Sequence, residues 1–442
     1  GKEAGFEYGK ALTDDQVANL KNDMIWMVET TVEGQTVLAP VVYLSAATKA
    51  SILGGAVISA DNIDMDVTSL TNEGGTISAS NSLDLTSQGD ITNTGGTISG
   101  DDVSLTSTDG SIINQTTVVG DNLGKNAGIT STGTLNMDAN KNILVKGGDV
   151  TAGGDASLTA GDNITFDTVV TRTNDVDSDG VRVTTETNNG STLSVGGDLT
   201  LDSGNDTTIA GSDVTVDGNL DADTGGDFNV IARQDKTNTS SITSGEDDGL
   251  LQRTTTITES FQGRNVGSSL TVGGDADINA QNEITVQGSD VDITGNADIT
   301  GKKGINILDG LDEDRTVTTT ISTSFLKASG ESGTETNSES SSQADNGTGY
   351  ANATAEAEAT NEAEANGDLT LANMSTTVND TGSTTSVGST FKVGGNLKAD
   401  TDGTMTVQGS DIEAGGNVDI DADSLDVLAG RNTTWDDSTT ET

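Results

Sequence analysis

The sequence predicts an all-β fold: a right-handed parallel β-helix solenoid with coils of about 21 residues, three short strands per coil, projecting β-hairpin insertions and a small N-terminal α/β cap. Three observations predict it: paired apolar residues recur at a fixed interval, glycine-rich corners recur at fixed offsets from them, and the composition suits a long narrow core. From Leu270, pairs spaced i, i+2 run Leu270/Val272, Ala276/Ile278 and Ile284/Val286, and they return 21 residues later as Val291/Ile293, Ala297/Ile299 and Ile305/Ile307. Alternation inside a pair marks a half-buried strand, and a fixed long period marks stacked repeats. The same interval relates Leu193, Leu199 and Ile209 to Val214, Leu220 and Val230, Ile129, Leu135 and Ile143 to Val150, Ala156 and Ile164, and Phe391 and Leu397 to Ile412 and Val418. Nearer the N-terminus it loosens to 19–21 residues, through Ile58, Ile77 and Ile98.

Composition alone would argue otherwise. The 442 residues include 31% hydrophobic and 2% aromatic residues, 56 Gly and one Pro, with a net charge of −50, a profile usual for disorder. Stacked coils escape that expectation, because strands about 4.8 Å apart build continuous columns from small aliphatic side chains. Outward positions are Thr, Ser, Asp and Asn, and corners carry residues that turn at little steric cost. Gly196-Gly197-Asp198, Gly273-Gly274-Asp275 and Gly394-Gly395-Asn396 mark one corner. Gly211-Ser212-Asp213, Gly288-Ser289-Asp290 and Gly409-Ser410-Asp411 mark another, 15 residues later each time. Parallel crossovers are overwhelmingly right-handed, which sets the expected hand.

The coil pattern stops after Phe166, Val230 and Ile307, where Thr-rich alternating segments begin. Each contains a hairpin turn signal: Asp179-Gly180, Asp248-Gly249 and Asn346-Gly347. Around the last, a simple register sets Ser342, Ser340, Ser338 and Thr336 opposite Ala351, Ala353, Ala355 and Ala357, and Glu339, Asn337 and Glu335 opposite Thr354, Glu356 and Glu358. A disordered Ser/Glu/Ala tract is the rival reading there. In the first fifty residues, Thr13 and Gln16 have capping-box spacing at a helix start, with Val17 and Leu20 as its apolar stripe. Met24–Val28 and Thr36–Leu38 form a hairpin, and Trp26 and Tyr43 are expected as core of a cap over the first coil. The resulting division is 1–50 cap, 51–168 coils, 169–190 hairpin, 191–231 coils, 232–267 hairpin, 268–309 coils, 310–388 long low-complexity hairpin, and 389–442 coils that stop short of a full repeat.

Charge and residue types narrow the chemistry. At pI about 4.1 a nucleic-acid backbone or anionic membrane repels the chain, so nucleic acid is excluded as a partner. There is no Cys and no His, which removes disulfides, thiolates and the commonest general base and metal ligand. Asp175, Asp177, Asp179, Gly180 and Glu186 match the Asp-x-Asp-x-Asp-Gly-x5-Glu calcium loop. Their flanks are Thr/Val strands instead of helices and Arg182 stands where an apolar residue belongs, so a solvated acidic hairpin is the competing and preferred reading. Asp64-x-Asp66 and Asp419-x-Asp421-x-Asp423 read as the wet side of strands. A β-helical polysaccharide lyase or hydrolase would need paired carboxylates and aromatic sugar platforms. Two Trp and three Tyr make poor material for these, and the expectation is no enzyme, no catalytic residue and no cofactor other than calcium.

Tyr8-Gly9-Lys10-Ala11-Leu12-Thr13, Met24-Ile25-Trp26-Met27-Val28-Glu29, Gly34-Gln35-Thr36-Val37-Leu38-Ala39-Pro40 and Val42-Tyr43-Leu44 together resemble the segment that opens the second haemagglutinin-repeat region of contact-dependent growth inhibition effectors. Those are filamentous-haemagglutinin-like exoproteins of two-partner secretion in Gram-negative bacteria. The Gly-Gly-Asp-x-x-Leu and Gly-Ser-Asp-Val units resemble haemagglutinin repeats, and the resemblance covers essentially the whole chain. It implies export through a dedicated outer-membrane transporter, display at the cell surface as a stalk, and delivery of a C-terminal toxin into a neighbour, with the target cell's outer membrane or its proteins as a partner and self-association through hairpin edges as another contact. The alternative is the stalk of an adhesin with no toxin. The secretion domain, receptor-binding region, pretoxin motif and toxin of the family are not in this sequence, and no signal peptide opens it, so both ends are expected to be cuts through a longer chain.

Overall fold

The computed structural model describes residues 9–13, 16, 20, 24–32, 35–43, 55–246, 252–325, 337–341, 356–360 and 372–441. The chain divides into two compact units, Gly1–Ser240 with Ser260–Thr316 and Thr381–Trp435, and Ser241–Glu259 with Val317–Asp380 and Asp436–Thr442. The first unit contains a parallel β-helix. A coil consists of three strands, as in Asp213–Val216, Leu220–Thr224 and Phe228–Ile231. The first strands of successive coils stack into an eleven-stranded sheet, and the second and third strands stack into a twenty-stranded one.

The register is the one the spacing predicts. Leu270 pairs with Val291, Ala276 with Ala297 and Ile284 with Ile305, and Ile58, Ile77 and Ile98 stack in turn. Pairing survives long gaps in sequence, since Val216 stacks on Val272 and Ile293 on Val393. A one-residue slip would turn every aliphatic side chain to water, and burying each one contributes roughly 1.5–3 kcal/mol. The burial therefore holds the register. Phe166, Phe228 and Phe391 are fully buried among the aliphatic columns.

At the Gly-Gly-Asp corner the reason for glycine differs from the expected one. Left-handed glycines at coil corners are Gly74, Gly95, Gly147, Gly211, Gly288 and Gly409, all at the other corner. Here the constraint is close approach instead. A Cβ on Gly274 would overlap Asn219 Oδ1 and come within 2.8 Å of the Gly218 carbonyl oxygen. Asn219 is one rung of an Asx ladder: the N–H of Asn219 donates to Asp198 Oδ1 (2.7 Å), that of Asp275 to Asn219 Oδ1 (2.9 Å), and that of Asn296 to Asp275 Oδ1 (2.7 Å). The ladder satisfies corner amides that strand pairing leaves open.

Gly74 and Gly95 close successive coils without an insertion, and beyond Gly95 insertions replace the other corner in every second coil. Among the described residues, corners with a lone left-handed glycine (Gly147, Gly211, Gly288, Gly409) alternate with corners replaced by residues 116–127, 168–190, 232–267 and 309–388. The first of these was not anticipated: its strands, Val118–Val119 and Asn122–Leu123, are too short to show an alternating pattern. Alternation has a geometric cause. A hairpin brings two strands, and two coils rise by two strand spacings, so a hairpin from every second coil supplies one strand per coil. The long hairpins accordingly merge into one seven-stranded sheet, ordered Val169–Val176, Arg182–Asn189, Arg233–Glu246, Gln252–Val266, Gly310–Phe325, Ala372–Val387 and Thr433–Glu441.

Turn Asp179-Gly180 closes the first hairpin, with Gly180 at φ 80°, whereas Asp248-Gly249 and Asn346-Gly347 lie outside the described residues. The low-complexity segment pairs differently from the simple register: Ser338 faces Ala359 and Ser340 faces Ala357, four residues from the expected partners Ala355 and Ala353. The shift is even, so serine still opposes alanine, but the register is not centred on Asn346-Gly347. In the cap, Met24–Val32 pairs with Gln35–Tyr43 from Met24↔Tyr43 to Val32↔Gln35. Thr13 and Gln16 exchange both capping-box hydrogen bonds, at 3.0 and 3.3 Å, and Val17 lies outside the described residues. Trp26 and Tyr43 are half-buried rather than core. The Trp26 indole N–H donates to the Lys10 carbonyl at 3.0 Å, and the Leu12 N–H to the Tyr43 hydroxyl at 3.1 Å. Ile58, at the start of an inward column, is 49% exposed.

Candidate functional site: the insertion corner

The corner that admits hairpins is lined by a column of buried serines, Ser191, Ser212, Ser268, Ser289 and Ser389, continued by Ser410. Every hydroxyl after that of Ser191 accepts the backbone N–H of the preceding serine in the column: Ser191 N–H donates to Ser212 Oγ (3.1 Å), Ser212 to Ser268 (3.2 Å), Ser268 to Ser289 (3.0 Å), Ser289 to Ser389 (3.1 Å) and Ser389 to Ser410 (3.0 Å). In uninterrupted coils the hydroxyl donates to the carbonyl two residues back, Ser212 to Ala210, Ser289 to Gln287 and Ser410 to Gln408, each at 2.9 Å. In interrupted coils it donates to the equivalent carbonyl on the far side of the insertion, Ser191 to Asp167 (2.6 Å), Ser268 to Ile231 (2.7 Å) and Ser389 to Leu308 (2.6 Å). The coil is therefore closed in the same way whatever lies between. In the earlier coils buried asparagines do this work: Asn72 and Asn93 donate to the Gly75 and Gly96 carbonyls at 3.2 and 2.9 Å, and Asn114 reaches across its insertion to the Ala127 carbonyl at 3.3 Å.

Neighbouring hairpin bases close over the glycine between them. A Cβ on Gly211 (φ +53°) would fall 2.7 Å from Thr168 Cγ2 and 2.9 Å from Arg233 Cγ. Arg233 also grips Asp167 with two hydrogen bonds of 2.8 Å, and Arg264 pairs with Asp314 at 2.7 Å. Glu313 and Arg315 are buried at the base of the insertion 309–388, 5% and 8% exposed. Burial pushes the Glu313 carboxyl above the usual range, with Arg315 pulling it down, Asp314 adding to the push and Lys236 opposing it. A carboxyl whose folded pKa is raised costs stability as pH rises from the unfolded value, about 4.3, through the folded one. Glu313→Gln is therefore expected to gain on the wild-type protein between pH 4 and pH 7, which urea unfolding midpoints at the two pH values will report.

The calcium-loop residues are spread along the first hairpin. Asp177 caps the turn, its Oδ1 accepting the N–H groups of Asp179 and Val181 at 2.9 Å each. Asp175 stands opposite Val183, and Glu186 opposite Arg172, with which it pairs at 2.7 Å. Val183 and Glu186 are three residues apart on one strand, about 10 Å. Among the described residues no three carboxylates are grouped to hold a metal. Asp64, Asp66, Asp419, Asp421 and Asp423 are exposed on outer strand faces. On the same face Asp221, Asp277 and Asp298 stack in adjacent coils. Desolvation, then Asp223 and Asp277, raise the Asp221 pKa, and Lys398 relieves the end of the row at 3.1 Å from Asp298.

The serine column was not anticipated as a unit, although a signal was present: Ser191/Ser212, Ser268/Ser289 and Ser389/Ser410 are each 21 residues apart, in phase with the aliphatic columns.

The profile of the Hemagglutinin repeat family matches residues 175–245, 252–373 and 371–442, more than half of the chain. The tRNA nuclease CdiA of Escherichia coli O6:K15:H31 is 32% identical over 201 residues, 37% of this chain and 6% of that protein. The 16S rRNA endonuclease CdiA of Enterobacter cloacae subsp. cloacae is 33% identical over 183 residues, 34% of this chain and 6% of that protein. The tRNA nuclease CdiA-2 of Burkholderia pseudomallei is 26% identical over 305 residues, 69% of this chain and 8% of that protein. The chain thus spans under a tenth of the length of these relatives, and no solved structure matches it. With its coils, its alternating insertions and the profile that covers them, the chain belongs to the Hemagglutinin repeat family, in the filamentous-haemagglutinin-like form that CdiA proteins carry.

Proposed function

We propose that this chain is a structural stretch of the stalk of a secreted, cell-surface bacterial exoprotein that delivers a C-terminal toxin into neighbouring cells. In this reading it reaches the surface through a dedicated outer-membrane transporter, and it catalyses nothing itself. The hairpin sheet is the surface that meets the target cell's outer membrane or its proteins. The observation that carries the reading is the placement of the three long hairpins in alternate coils, at one corner, in one sheet. A bare stalk needs no such sheet, and sheet edges invite strand addition from a partner or a neighbouring copy. The net charge of −50 opposes direct adsorption to anionic lipid, which favours a protein or a neutral surface as the contact.

The test is a deletion in the full-length parent. Thr381 Oγ1 donates to the Thr316 carbonyl at 3.4 Å, so the two strands are adjacent there and an Asn-Gly turn can replace Val317–Asp380. Export and attachment to target cells should persist while toxin entry falls. Unchanged entry would return the chain to the adhesin-stalk reading, and joint loss of export and attachment would make the segment a folding element.

A further inference from the structure

We infer that the serine column is a set of latches that lets the hairpins open and reclose while the coils stay shut. The strands on either side of an insertion keep their stacking partners in the neighbouring coils, and at the corner itself a side chain adds a bond that bypasses the insertion. The one hydroxyl proton of Ser268 points to the Ile231 carbonyl at 2.7 Å, with the Ile209 carbonyl as a second acceptor at 3.1 Å, and its oxygen accepts the Ser212 N–H at 3.2 Å. None of these bonds passes through residues 232–267. Ser191 bridges its insertion through the Asp167 and Val145 carbonyls at 2.6 and 2.9 Å, and Ser389 bridges the longest one through Leu308 at 2.6 Å.

The arrangement is the same for three insertions of very different length, which contact made by the insertions themselves would not produce. Asn114 repeats it with different chemistry across residues 116–127. The outer parts of the insertions also form a compact unit of their own, Ser241–Glu259, Val317–Asp380 and Asp436–Thr442. A segment with its own compactness and a latched base is a separate cooperative unit, able to unfold below the free energy of the whole. The coils contribute the permanent structure, and the insertions contribute the part that can rearrange on meeting a surface.

Native-state hydrogen exchange of the chain tests this directly. Amides of 241–246 and 252–259 should exchange well ahead of those of 228–231 and 269–272, as two separate populations. Ser268→Ala leaves the Ser212 N–H without its acceptor and the Ile231 carbonyl with only the Gly211 N–H, and it should cut protection of 228–231 and 269–272 by about tenfold or more. Ser212→Ala, in an uninterrupted corner, should weaken its own coil without bringing coil and hairpin exchange together. One common rate for coil and hairpin amides in the wild-type chain would overturn the inference. So would a Ser268→Ala effect confined, like that of Ser212→Ala, to a uniform loss with the two populations still as far apart as before.

Discussion

Ile293→Asp removes the cooperative thermal transition of the coils around it, while Asp292→Asn, one residue away, melts within a degree or two of the wild-type chain. Ile293 is fully buried and stacked between Val272 and Val393, so the variant either buries an unpaired carboxylate or turns the strand out of the helix. Burial of an isolated charge costs several kcal/mol even after relaxation, and loss of the aliphatic side chain adds about 2–5 kcal/mol. In a solenoid the damage spreads, because each coil is stabilised mainly by its neighbours. Asp292 points outward, about half exposed, with Lys392 Nζ at 3.7 Å, and an exposed pair of that kind contributes about 1 kcal/mol at most. Circular dichroism melts of the two variants decide the matter, and equal losses would show the inside and outside phases to be wrongly assigned.

Gly211→Val should be nearly as damaging, for a different reason. The residue sits at φ +53°, where a β-branched side chain costs about 1–3 kcal/mol, and its Cβ would press on both Thr168 and Arg233, the bases of two successive hairpins. Overpacking adds roughly 1–3 kcal/mol. Because Arg233 holds Asp167, the expected signature is joint loss of protection at 164–167 and at 228–231, one coil to either side of the substitution. Gly245→Val is the control, since a Cβ there meets nothing within 4 Å. If the two variants unfold at the same urea midpoint, the closure of hairpin bases over the glycine is not a stabilising contact.

The coils were legible residue by residue. Leu193 with Val214, Ile129 with Val150 and Phe391 with Ile412 could be paired from spacing alone, and they stack so in the protein. Spacing suffices there because the side-chain period of a strand is two and only one phase buries the aliphatic residues. The low-complexity hairpin lacks that constraint: serine, alanine and glutamate alternate over many equivalent phases, and the pairing Ser340↔Ala357 could not be chosen over one four residues away. At Asp175 to Glu186 the sequence pattern alone left the calcium loop and the acidic hairpin both open, for a related reason. Sequence spacing in a loop between helices brings alternate carboxylates together, whereas in a hairpin the same spacing distributes them along two strands and gives Glu186 to Arg172.

By itself, then, the sequence determined the class of fold, the coil period, which residues face inward, and the corner at which the chain leaves the helix. These depend on local periodicity and on apolar burial, both written along the chain. What only the tertiary structure decided is how that corner is closed and why insertions come in alternate coils. The hydrogen bond from Ser389 to Leu308 joins residues 81 positions apart, and the glycine at 211 is required by side chains at 168 and 233 that belong to different hairpins. Such contacts depend on the stacking of coils at one strand spacing, which brings distant residues together at positions that no local pattern marks.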